Sequence, residues 1–506
     1  MATQVLIVGA GPTGLMLAIS LARRGIAVRI IDKNSGPGQA SRAMAVHART
    51  LEFYRQLGFA DVVVNLGIKI DTIHLREHGD DIAVLPLKDI GAGLSPYPFV
   101  LAFPQDDHER FLVEQLRAGG VEVEWNTELE SFTQDEWGVR AVLERDGERI
   151  PCSSAYLCGC DGARSRVRET LKLDFSGGTY DHLYYVADVR TAGPVNHDLV
   201  AHLGANTFAL MLPVRSRGMQ RLIGIMPPEA PPGAGFDAVR PALESLLGIE
   251  VEQLNWFSTY RVHHRVAAHF RVDRCFLGGD AAHIHSPAGG QGMNTGIGDA
   301  VNLAWKLAEV LQGRAAPTLL DTYEAERIVF ARKLVTTTDR AFQLIVSQGA
   351  GGQLLRSWLL PHVFPVLTGF AAARRTLFRT LSQVQIHYPD SPLSGGRAGE
   401  VIGGDRLPWL TLDDGRDNFD ALQTLDWQLH VYGRPNPALA AAAQALRLPL
   451  HAYPWSDAAE QAGLLEDAAY LVRPDMHIAL ALPRQEVDSL RELVDRFKLR
   501  FSHELP

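Results

Sequence analysis

The fold is decided near the start of the chain, where residues 4–32 read QVLIVGAGPTGLMLAISLARRGIAVRIID. A β-branched run is followed by a glycine-rich turn, an apolar helical stretch, a turn at Gly25 and a second β-branched run. Strands joined by a helix in this way run parallel, and a parallel sheet carries helices on its faces. The stretch therefore predicts an α/β fold that opens with a βαβ unit.

Three glycines, Gly9, Gly11 and Gly14, stand between the first predicted strand and the helix in GxGxxG spacing. The first permits a tight turn, the second lets a pyrophosphate approach the backbone, and the third lets the helix pack on the strand. Asp32 ends the second strand, where its carboxylate would accept hydrogen bonds from ribose hydroxyls. The helix N-terminus offers unsatisfied N–H groups and a positive dipole end to phosphates. We predict that this unit binds a dinucleotide.

A second glycine-rich stretch, residues 279–300, reads GDAAHIHSPAGGQGMNTGIGDA. Asp280 follows a predicted buried strand, where its carboxylate can accept hydrogen bonds from a sugar-alcohol hydroxyl. Gly289, Gly290 and Gly292 let backbone amides approach a flat, electron-accepting group. The helix that begins near Gly292 would stabilise the negative charge that a flavin gains on reduction.

Composition narrows the class of protein. The chain has 506 residues, 46% of them hydrophobic and 21% charged, which predicts two to four globular domains. A net charge of -9 leaves no bulk basic surface, so we predict no nucleic-acid partner. The four cysteines include no CxxC pair and no zinc-site spacing, which favours a reducing, cytoplasmic compartment.

Neither a signal peptide nor a membrane span is predicted. The apolar run from Val5 to Leu21 has no positively charged segment before it. Residues 358–373 form another apolar run, but Pro361 and Pro365 interrupt it and it is too short to cross a bilayer. We expect this run to be a packed or amphipathic helical segment.

The sequence resembles the single-component flavin-dependent aromatic hydroxylases, of the p-hydroxybenzoate hydroxylase and phenol hydroxylase kind. Three segments match that family's FAD signatures in order and approximate spacing: GAGPTG from Gly9, CDGARSRVR from Cys160, and GDAAHIHSPAGGQGMN from Gly279. Later segments, GDRLPWLTLDDG and YLVRPDMHIAL, look like the thioredoxin-like tail of the phenol and polyketide hydroxylase branch. The resemblance covers essentially the whole chain.

The resemblance implies an α/β, Rossmann-like FAD-binding domain with an inserted, mostly antiparallel β-sheet substrate domain and a C-terminal thioredoxin-like domain. The FAD-binding domain would comprise residues 1–176 and, with a helical segment, 271–394. The substrate domain would comprise residues 177–270, with contributions from about 70–100. The tail would comprise residues 395–506, because Pro and Gly residues just before Gly395 make a plausible boundary.

The resemblance also implies individual site residues. Asp32, Arg42 and Gln105 would contact the ADP and ribityl portions of FAD, and Asp280 the ribityl and pyrophosphate region. Gly290, Gly292, Met293 and Asn294 would lie along the isoalloxazine, with Pro287 beside the ring where oxygen is activated. Asp161 and Arg168 belong to a motif that the family associates with both FAD and NAD(P)H, although Asp161 could instead cap a helix.

The activity that this implies is FAD-dependent monooxygenation, with NADPH or NADH and O2, of a phenolic or polycyclic aromatic substrate through a flavin C4a-hydroperoxide. A single GxGxxG fits a family that has no separate nicotinamide domain. Three alternatives stay open: a Baeyer-Villiger or epoxidising monooxygenase acting on an antibiotic-like substrate, a flavin oxidase, and an FAD-binding protein without turnover. A homodimer is the base-rate expectation.

One position departs from the phenol hydroxylase pattern. Met44 stands where those enzymes carry an active-site Asp, so the usual phenol-activating acid is missing. His47 could serve as the base or be a hydrogen-bonded structural histidine. The polyketide hydroxylase branch tends to lack the Asp too, which favours a bulky polycyclic or acidic phenol. Candidates for the pocket wall, which could equally be core residues, are Tyr184, Tyr185, His202, Phe208, Met211 and Met226.

Overall fold

The computed structural model describes residues 3–38, 43–77, 80–193, 197–203, 208–214, 218–231, 233–286, 290–346 and 370–501. Arg42, Pro287, Gly289 and residues 358–369 of the late apolar run lie outside the described residues. Among the helices of the described residues, none combines the length and the apolar character needed to cross a membrane.

The structure has strands and helices with the following bounds. The strands are β1 (Val5–Val8), β2 (Val28–Ile31), β3 (Ala45–Val46), β4 (Ile68–Lys69), β5 (Thr72–Glu77), β6 (Asp80–Pro86), β7 (Leu101–Ala102), β8 (Val123–Glu124), β9 (Thr127–Asp135), β10 (Gly138–Arg145), β11 (Glu148–Ser154), β12 (Tyr156–Gly159), β13 (Phe175–Thr191), β14 (Leu199–Leu203), β15 (Phe208–Val214), β16 (Met219–Ile225), β17 (Val251–Ala267), β18 (Arg271–Val272), β19 (Cys275–Leu277), β20 (His283–Ile284), β21 (Gly395–Ala398), β22 (Val401–Ile402), β23 (Gln428–Tyr432), β24 (Leu450–Tyr453), β25 (Ala468–Val472) and β26 (Ile478–Leu482). The α-helices are α1 (Pro12–Ala22), α2 (Ala48–Gln56), α3 (Ala60–Leu66), α4 (Gln105–Ala118), α5 (Arg166–Thr170), α6 (Arg240–Leu247), α7 (Gln291–Leu311), α8 (Asp321–Val346), α9 (Ala371–Leu381), α10 (Pro437–Leu446), α11 (Asp457–Gln461) and α12 (Val487–Phe497).

The predicted βαβ unit is present as β1, α1 and β2, with β1 and β2 in parallel register. It lies in a six-stranded sheet of order β18-β19-β12-β1-β2-β8, in which only the edge pair β18–β19 is antiparallel. The side chains of β1 are all buried, as expected for a central strand with both faces covered. Smaller antiparallel sheets, β9–β10–β11 and β3–β7–β4, flank it.

A second large sheet has eight strands in the order β20-β17-β13-β16-β15-β14-β5-β6, antiparallel except for the pair β14–β5. Its alternating side chains divide between two faces. Tyr185, Met211 and Leu222 pack with α6 residues in a core of their own. Leu212 and Val214 belong to the main core, which they share with the first sheet. The second face of the sheet therefore covers the βαβ part of the molecule.

The C-terminal part contains a six-stranded sheet of order β22-β21-β26-β25-β23-β24. Strands β23 and β24 are parallel, whereas β25 is antiparallel to both β23 and β26. Apolar side chains on one face of this sheet, including Leu429 and Leu471, form a separate core that also takes Trp305 from α7, whereas Tyr470 and Val472 belong to the main core. The Trp305 and Trp427 rings meet edge to face, with centroids 5.4 Å apart, so this sheet packs directly on α7.

Buried ion pairs also join the C-terminal part to the rest of the chain. Glu326 of α8 accepts hydrogen bonds from Arg473 at 2.7 Å and from Lys306 at 2.8 Å. Glu52 of α2 accepts from Arg406 at 2.6 Å. All five side chains are nearly or fully buried, where an unpaired charge would be strongly destabilising. The pairs made by Arg406 and Arg473 therefore determine how the C-terminal part packs against α2 and α8.

Candidate cofactor and active site

The GxGxxG turn is tightly packed at Gly9 and Gly14 and open at Gly11. A Cβ atom placed on Gly9, whose φ is +103°, would overlap the carbonyl oxygen of Cys160, and one on Gly14 would overlap the carbonyl oxygen of Gly9. By contrast, no atom of the described residues lies within 4 Å of a Cβ placed on Gly11, the N-cap of α1. Because Gly11 has no side chain, the N-terminus of α1 is open on this side. A site for a pyrophosphate requires such an opening.

Asp32 lies directly after β2 and beside this turn. Its Oδ2 accepts a hydrogen bond from the amide of Ala10 at 2.7 Å, and its Oδ1 accepts from Asn34 at 2.9 Å. These contacts orient the carboxylate, and each oxygen retains a second lone pair for a ribose hydroxyl.

Asp161 lies beside the helix α5, where the sequence allows a capping role. Its Oδ2 accepts a hydrogen bond from the amide of Val167 in α5 at 3.2 Å. Its Oδ1 is buried and has no hydrogen-bond partner among the described residues. Burial raises the pKa of this carboxyl. Because a Cβ on Gly9 would lie 2.8 Å from the Cα of Asp161, the unpartnered oxygen belongs to the same neighbourhood as the glycine turn.

Arg168 joins the second motif to the third. Its Nη1 donates to the carbonyl of Ala281 at 2.9 Å, its Nη2 donates to the carbonyl of Ala163 at 2.8 Å, and its guanidinium lies 3.9 Å from the centre of the Phe175 ring. The side chain is buried and acts as a brace between two loops that are more than 100 residues apart in sequence.

The third motif packs against the first. Asp280 is exposed in a 3₁₀ turn, Gly279–Ala281, that follows β19. A Cβ on Gly279 or on Gly296 of α7 would overlap the hydroxyl oxygen of Thr13 in α1. The absence of side chains at these two glycines therefore lets α1, the Asp280 turn and α7 converge at one point.

Asp299 of α7 holds the Asp280 turn in place through hydrogen bonds on either side of it in sequence, to Gly279 and His283. Its Oδ2 accepts from the amide of Gly279 at 3.0 Å and pairs with His283 Nε2 at 2.8 Å, while its Oδ1 accepts from Arg327 Nε at 2.6 Å. Burial acts to raise the pKa of the Asp299 carboxyl, but Arg327, His283 and the hydrogen bonds outweigh it and lower that pKa to about 2. The carboxylate is therefore charged throughout the physiological range.

The N-terminus of α7 is held against β3. Gly290 is its N-cap with φ +63°, and a Cβ there would lie 2.7 Å from the Cβ of Ala45. Asn294 donates to the carbonyls of Ala45 and Gly290 and accepts from the His47 amide at 2.9 Å and the Thr50 hydroxyl at 2.7 Å. The Asn294 side chain is thus used within the protein, where it ties the N-terminus of α7 to β3 and α2.

His47 and Met44 both lie inside this region. His47 is the N-cap residue of α2 and is only 2% exposed. Met44, where an acid was expected from the phenol hydroxylase pattern, is buried in the main core. The backbone amide of His47 donates to Asn294 of α7, so this histidine lies at the junction of α2 and α7.

Gln105 of α4 holds the chain at one end of residues 39–42. Its Oε1 accepts from the amide of Ala43 at 3.3 Å, and its Nε2 donates to Glu109 at 2.8 Å. Glu109 in turn accepts from the amide of Gly38 at 2.8 Å. Burial raises the pKa of Glu109. The pair brackets the segment that carries Arg42.

The wall candidates divide between the two faces of the eight-stranded sheet. Tyr185, Met211 and Met226 belong to the core beneath α6. His202 pairs with Ala209 of that core across β14 and β15, so it shares this face. Tyr184 lies on the other face, with its ring 6.0 Å from that of Tyr260. Phe208 is half-buried at the start of β15.

Comparison with known proteins identifies the family of this chain. The family described as FAD binding domain matches residues 2–338. A 6-methylpretetramide 4-monooxygenase of Streptomyces rimosus is 40% identical over 421 residues, which cover 79% of this chain and 72% of that protein. Two solved structures cover 98% of this chain: the anhydrotetracycline hydroxylase OxyS of Streptomyces rimosus (29% identity, TM-score 0.79, 99% of that chain) and aklavinone-11 hydroxylase with FAD and aklavinone (27% identity, TM-score 0.78, 98% of that chain).

The chain belongs to this FAD-binding family. It is an FAD-dependent aromatic monooxygenase, as the sequence predicts, and NADPH or NADH is its co-substrate. The residues present fit FAD, because the open position at Gly11 and the N-termini of α1 and α7 suit its pyrophosphate and its ring, and the unpartnered Asp161 Oδ1 can accept a hydrogen bond from a hydroxyl group.

Proposed function

We propose that the protein hydroxylates a bulky polycyclic phenol of the aromatic-polyketide type. The overall reaction consumes one O2, one NADPH or NADH and one proton, and it yields the hydroxylated ring, water and NADP⁺ or NAD⁺. The observation that carries the proposal is the convergence of the three segments that match the FAD signatures at the N-termini of α1 and α7. The names of the three relatives above support the substrate class.

When bound, FAD would accept hydride from the nicotinamide and deliver electrons to O2. The chain would hold it through the Gly9–Gly14 turn and Asp32 at the ADP portion, Arg42 and Gln105 nearby, and Asp161 and Asp280 at the middle. Backbone amides from Gly290 to Asn294 would face the isoalloxazine. The inward face of the sheet, including Tyr184, would exclude water and hold the substrate ring, with Pro287 beside the ring of FAD.

The test is anaerobic reduction of the purified holoenzyme by NADPH and by NADH, with and without a panel of phenols, naphthols and polycyclic quinols. We expect at least one polycyclic member to accelerate reduction and, after O2 is admitted, to gain one oxygen atom by mass spectrometry. Reduction of bound FAD by a compound without NAD(P)H would identify an oxidase instead, and oxygen inserted into a ring C–C bond would identify a Baeyer-Villiger enzyme.

We propose His47 as the base that ionises the phenol. His47→Gln keeps a polar side chain but removes the base, and general-base catalysis is worth about 10²- to 10⁴-fold. We expect hydroxylation to slow by that factor near neutral pH and to recover partly at a pH where the substrate ionises unaided, with FAD content unchanged.

His430 supplies the matched control for this variant. It is a fully buried histidine in β23, with its Nε2 2.9 Å from Gln428 Oε1. We expect His430→Gln to hydroxylate at the wild-type rate. Equal rates for His47→Gln and wild type across the pH range would show that His47 has only a structural role.

The finer division of the chain is also a proposal. We assign residues 1–176 and 271–394 to the FAD-binding domain, 177–270 with part of 70–100 to the substrate domain, and 395–506 to a thioredoxin-like tail. The order β26-β25-β23-β24, with β23 parallel to β24 and β25 antiparallel to its neighbours, supports the tail assignment. We also propose a cytoplasmic homodimer; the reducing compartment is supported by the four free thiols, all in the described part of the chain.

A further inference from the structure

The geometry points to Gln383 as a positioning residue for the flavin: its side chain fixes the first turn of α7, against which the isoalloxazine ring would lie. The inference rests on the proposed seat of FAD at that turn. Gln383 lies two residues after α9, and 92 residues after its main partner in sequence.

The backbone of Gln383 has an unusual conformation. Its φ is +59°, in the left-handed region that glycine adopts readily and other residues rarely do. The residue is also 4% exposed, so no solvent contact explains a long polar side chain there. A strained conformation retained at a buried site indicates that the side chain itself is needed.

The contacts of the side chain show what it holds. Its Nε2 donates to Gln291 Oε1 at 2.6 Å and to the Thr295 hydroxyl at 2.9 Å. Thr295 in turn donates to the carbonyl of Gln291 at 2.9 Å. Gln291 and Thr295 are one helical turn apart at the start of α7, so a single amide group closes a ring of hydrogen bonds around that turn.

The orientation of both amides is fixed by their partners. Gln291 Nε2 donates to the carbonyl of Leu381 at 2.9 Å, and a carbonyl can only accept. The Oε1 of Gln291 must therefore face Gln383, which must present its NH2 group in return. Replacing that group with an acceptor would break both of its bonds.

The segment Leu381–Gln383 holds a second helix as well. The carbonyl of Ser382 accepts from the backbone amide of Arg49 at 3.2 Å, in the first turn of α2. Its neighbours Leu381 and Gln383 hold α7. Leu381, Ser382 and Gln383 therefore hold the N-termini of both α2 and α7. His47, at the start of α2, and Asn294, in the first turn of α7, are hydrogen-bonded to each other there.

The position of the α7 N-terminus matters because its partial positive charge acts over a short distance. If the ring lies against it, that charge stabilises the reduced, anionic flavin more than the oxidised one. Loosening the turn should therefore lower the reduction potential. A residue that merely filled space would alter stability without altering the potential.

The chain offers a matched control in Gln485. It too is a buried glutamine with left-handed backbone, at φ +57° and 5% exposed. Its amide donates to the carbonyls of Arg434 and Asp467, and its Oε1 accepts from the amide of Asn436, all within the C-terminal part. Gln383→Gly and Gln485→Gly therefore remove equivalent side chains, and only the first touches α7.

The experiment is dye-equilibration potentiometry on the holoenzymes of wild type, Gln383→Gly and Gln485→Gly, with thermal unfolding of each. We expect Gln383→Gly to lower the equilibrium constant for FAD reduction about tenfold, which is about 30 mV more negative for a two-electron couple. Gln485→Gly should lose comparable thermal stability and keep the wild-type potential.

Equal potentials for Gln383→Gly and wild type would overturn the inference, as would an equal shift in Gln485→Gly. Should Gln383→Gly not fold, Gln383→Asn is measured in its place, since asparagine tolerates the left-handed backbone but its shorter amide cannot span the same gap. The same shift is expected from it. A wild-type protein without reducible FAD would instead refute the proposed function.

Discussion

Replacing Gly11 with alanine is expected to weaken FAD binding about 10- to 100-fold while leaving the apoprotein as stable as wild type. The φ of Gly11 is -73°, which alanine adopts without strain, and the added methyl would meet no atom of the described residues. The methyl would instead occupy the space through which a pyrophosphate approaches the amides of α1. Forcing a methyl into a packed contact costs about 1–3 kcal/mol, which corresponds to this loss of affinity.

Fluorescence titration of apoprotein with FAD measures the dissociation constant, and thermal unfolding of the apoprotein checks the fold. Gly235→Ala is the matched control, because Gly235 also has negative φ, at -85°, and open space around its missing Cβ among the described residues. It lies before the 3₁₀ turn Phe236–Ala238, near α6, so its FAD affinity should equal that of wild type. Wild-type affinity in Gly11→Ala would show that the pyrophosphate does not bind at the α1 N-terminus.

Asp299→Asn is expected to destabilise the protein by about 3–5 kcal/mol, because it leaves the buried guanidinium of Arg327 without its counter-charge. Asparagine has nearly the same shape, but its NH2 group would face N–H donors that now bond to a carboxylate. In a chain of this size the unfolding entropy is about 1 kcal/mol per degree, so the thermal midpoint should fall by roughly 3–5 °C. Bound FAD should be lost more easily, since the Gly279 amide next to Asp280 would lose its acceptor.

The pH dependence of this variant provides an internal check. The folded-state pKa of Asp299, about 2, lies below its ordinary value of 3.8. The stability from its charged form is therefore present above about pH 4 and is lost as the pH falls towards 2. The difference between wild type and Asp299→Asn should narrow over that range. A constant difference would contradict the low pKa.

Asp321→Asn provides the control for charge removal in the same region. Asp321 begins α8 and pairs with Arg271, but its side chain is 69% exposed. Exposed ion pairs contribute little, so we expect a change below about 1 kcal/mol. A loss as large as that of Asp299→Asn would mean that burial does not set the size of the effect.

Local patterns in the sequence were sufficient to predict the βαβ unit. The close approach of Gly14 to Gly9 lies within one βαβ unit, so a short stretch contains this part of the signal, whereas the contact of Gly9 with Cys160 comes from a distant strand. The wall of the substrate side is different. Tyr184 and Tyr185 are neighbours of similar chemistry, and only the pairing of β13 with β17 decides which one faces the βαβ part. Because successive side chains of a strand alternate between the faces of the sheet, the sequence predicts that Tyr184 and Tyr185 point to opposite faces. It does not predict which of the two faces is covered by the rest of the protein.

The roles of Asp299 and Gln383, which support the candidate site, could not be predicted from the sequence around them. Asp299 lies inside a quoted motif, yet its role depends on Arg327, 28 positions later. Gln383 contacts residues 88 to 92 positions earlier. Such partners are chosen by tertiary packing, which a single sequence does not reveal without knowledge of the fold.

The buried pairs Glu52–Arg406 and Glu326–Arg473 have a consequence for how this protein can have diverged from its relatives. Each pair has one member before residue 330 and the other in the C-terminal part, and neither charge has access to water. Loss of the C-terminal part during evolution would take one arginine from each carboxylate, while Lys306 would stay with Glu326 and Arg49 with Glu52. The opposite mismatch is more costly, because a C-terminal part docked on a relative without these carboxylates would bury Arg406 and Arg473 with fewer counter-charges. Chimaeras between relatives should therefore be most stable when both members of each pair are inherited together.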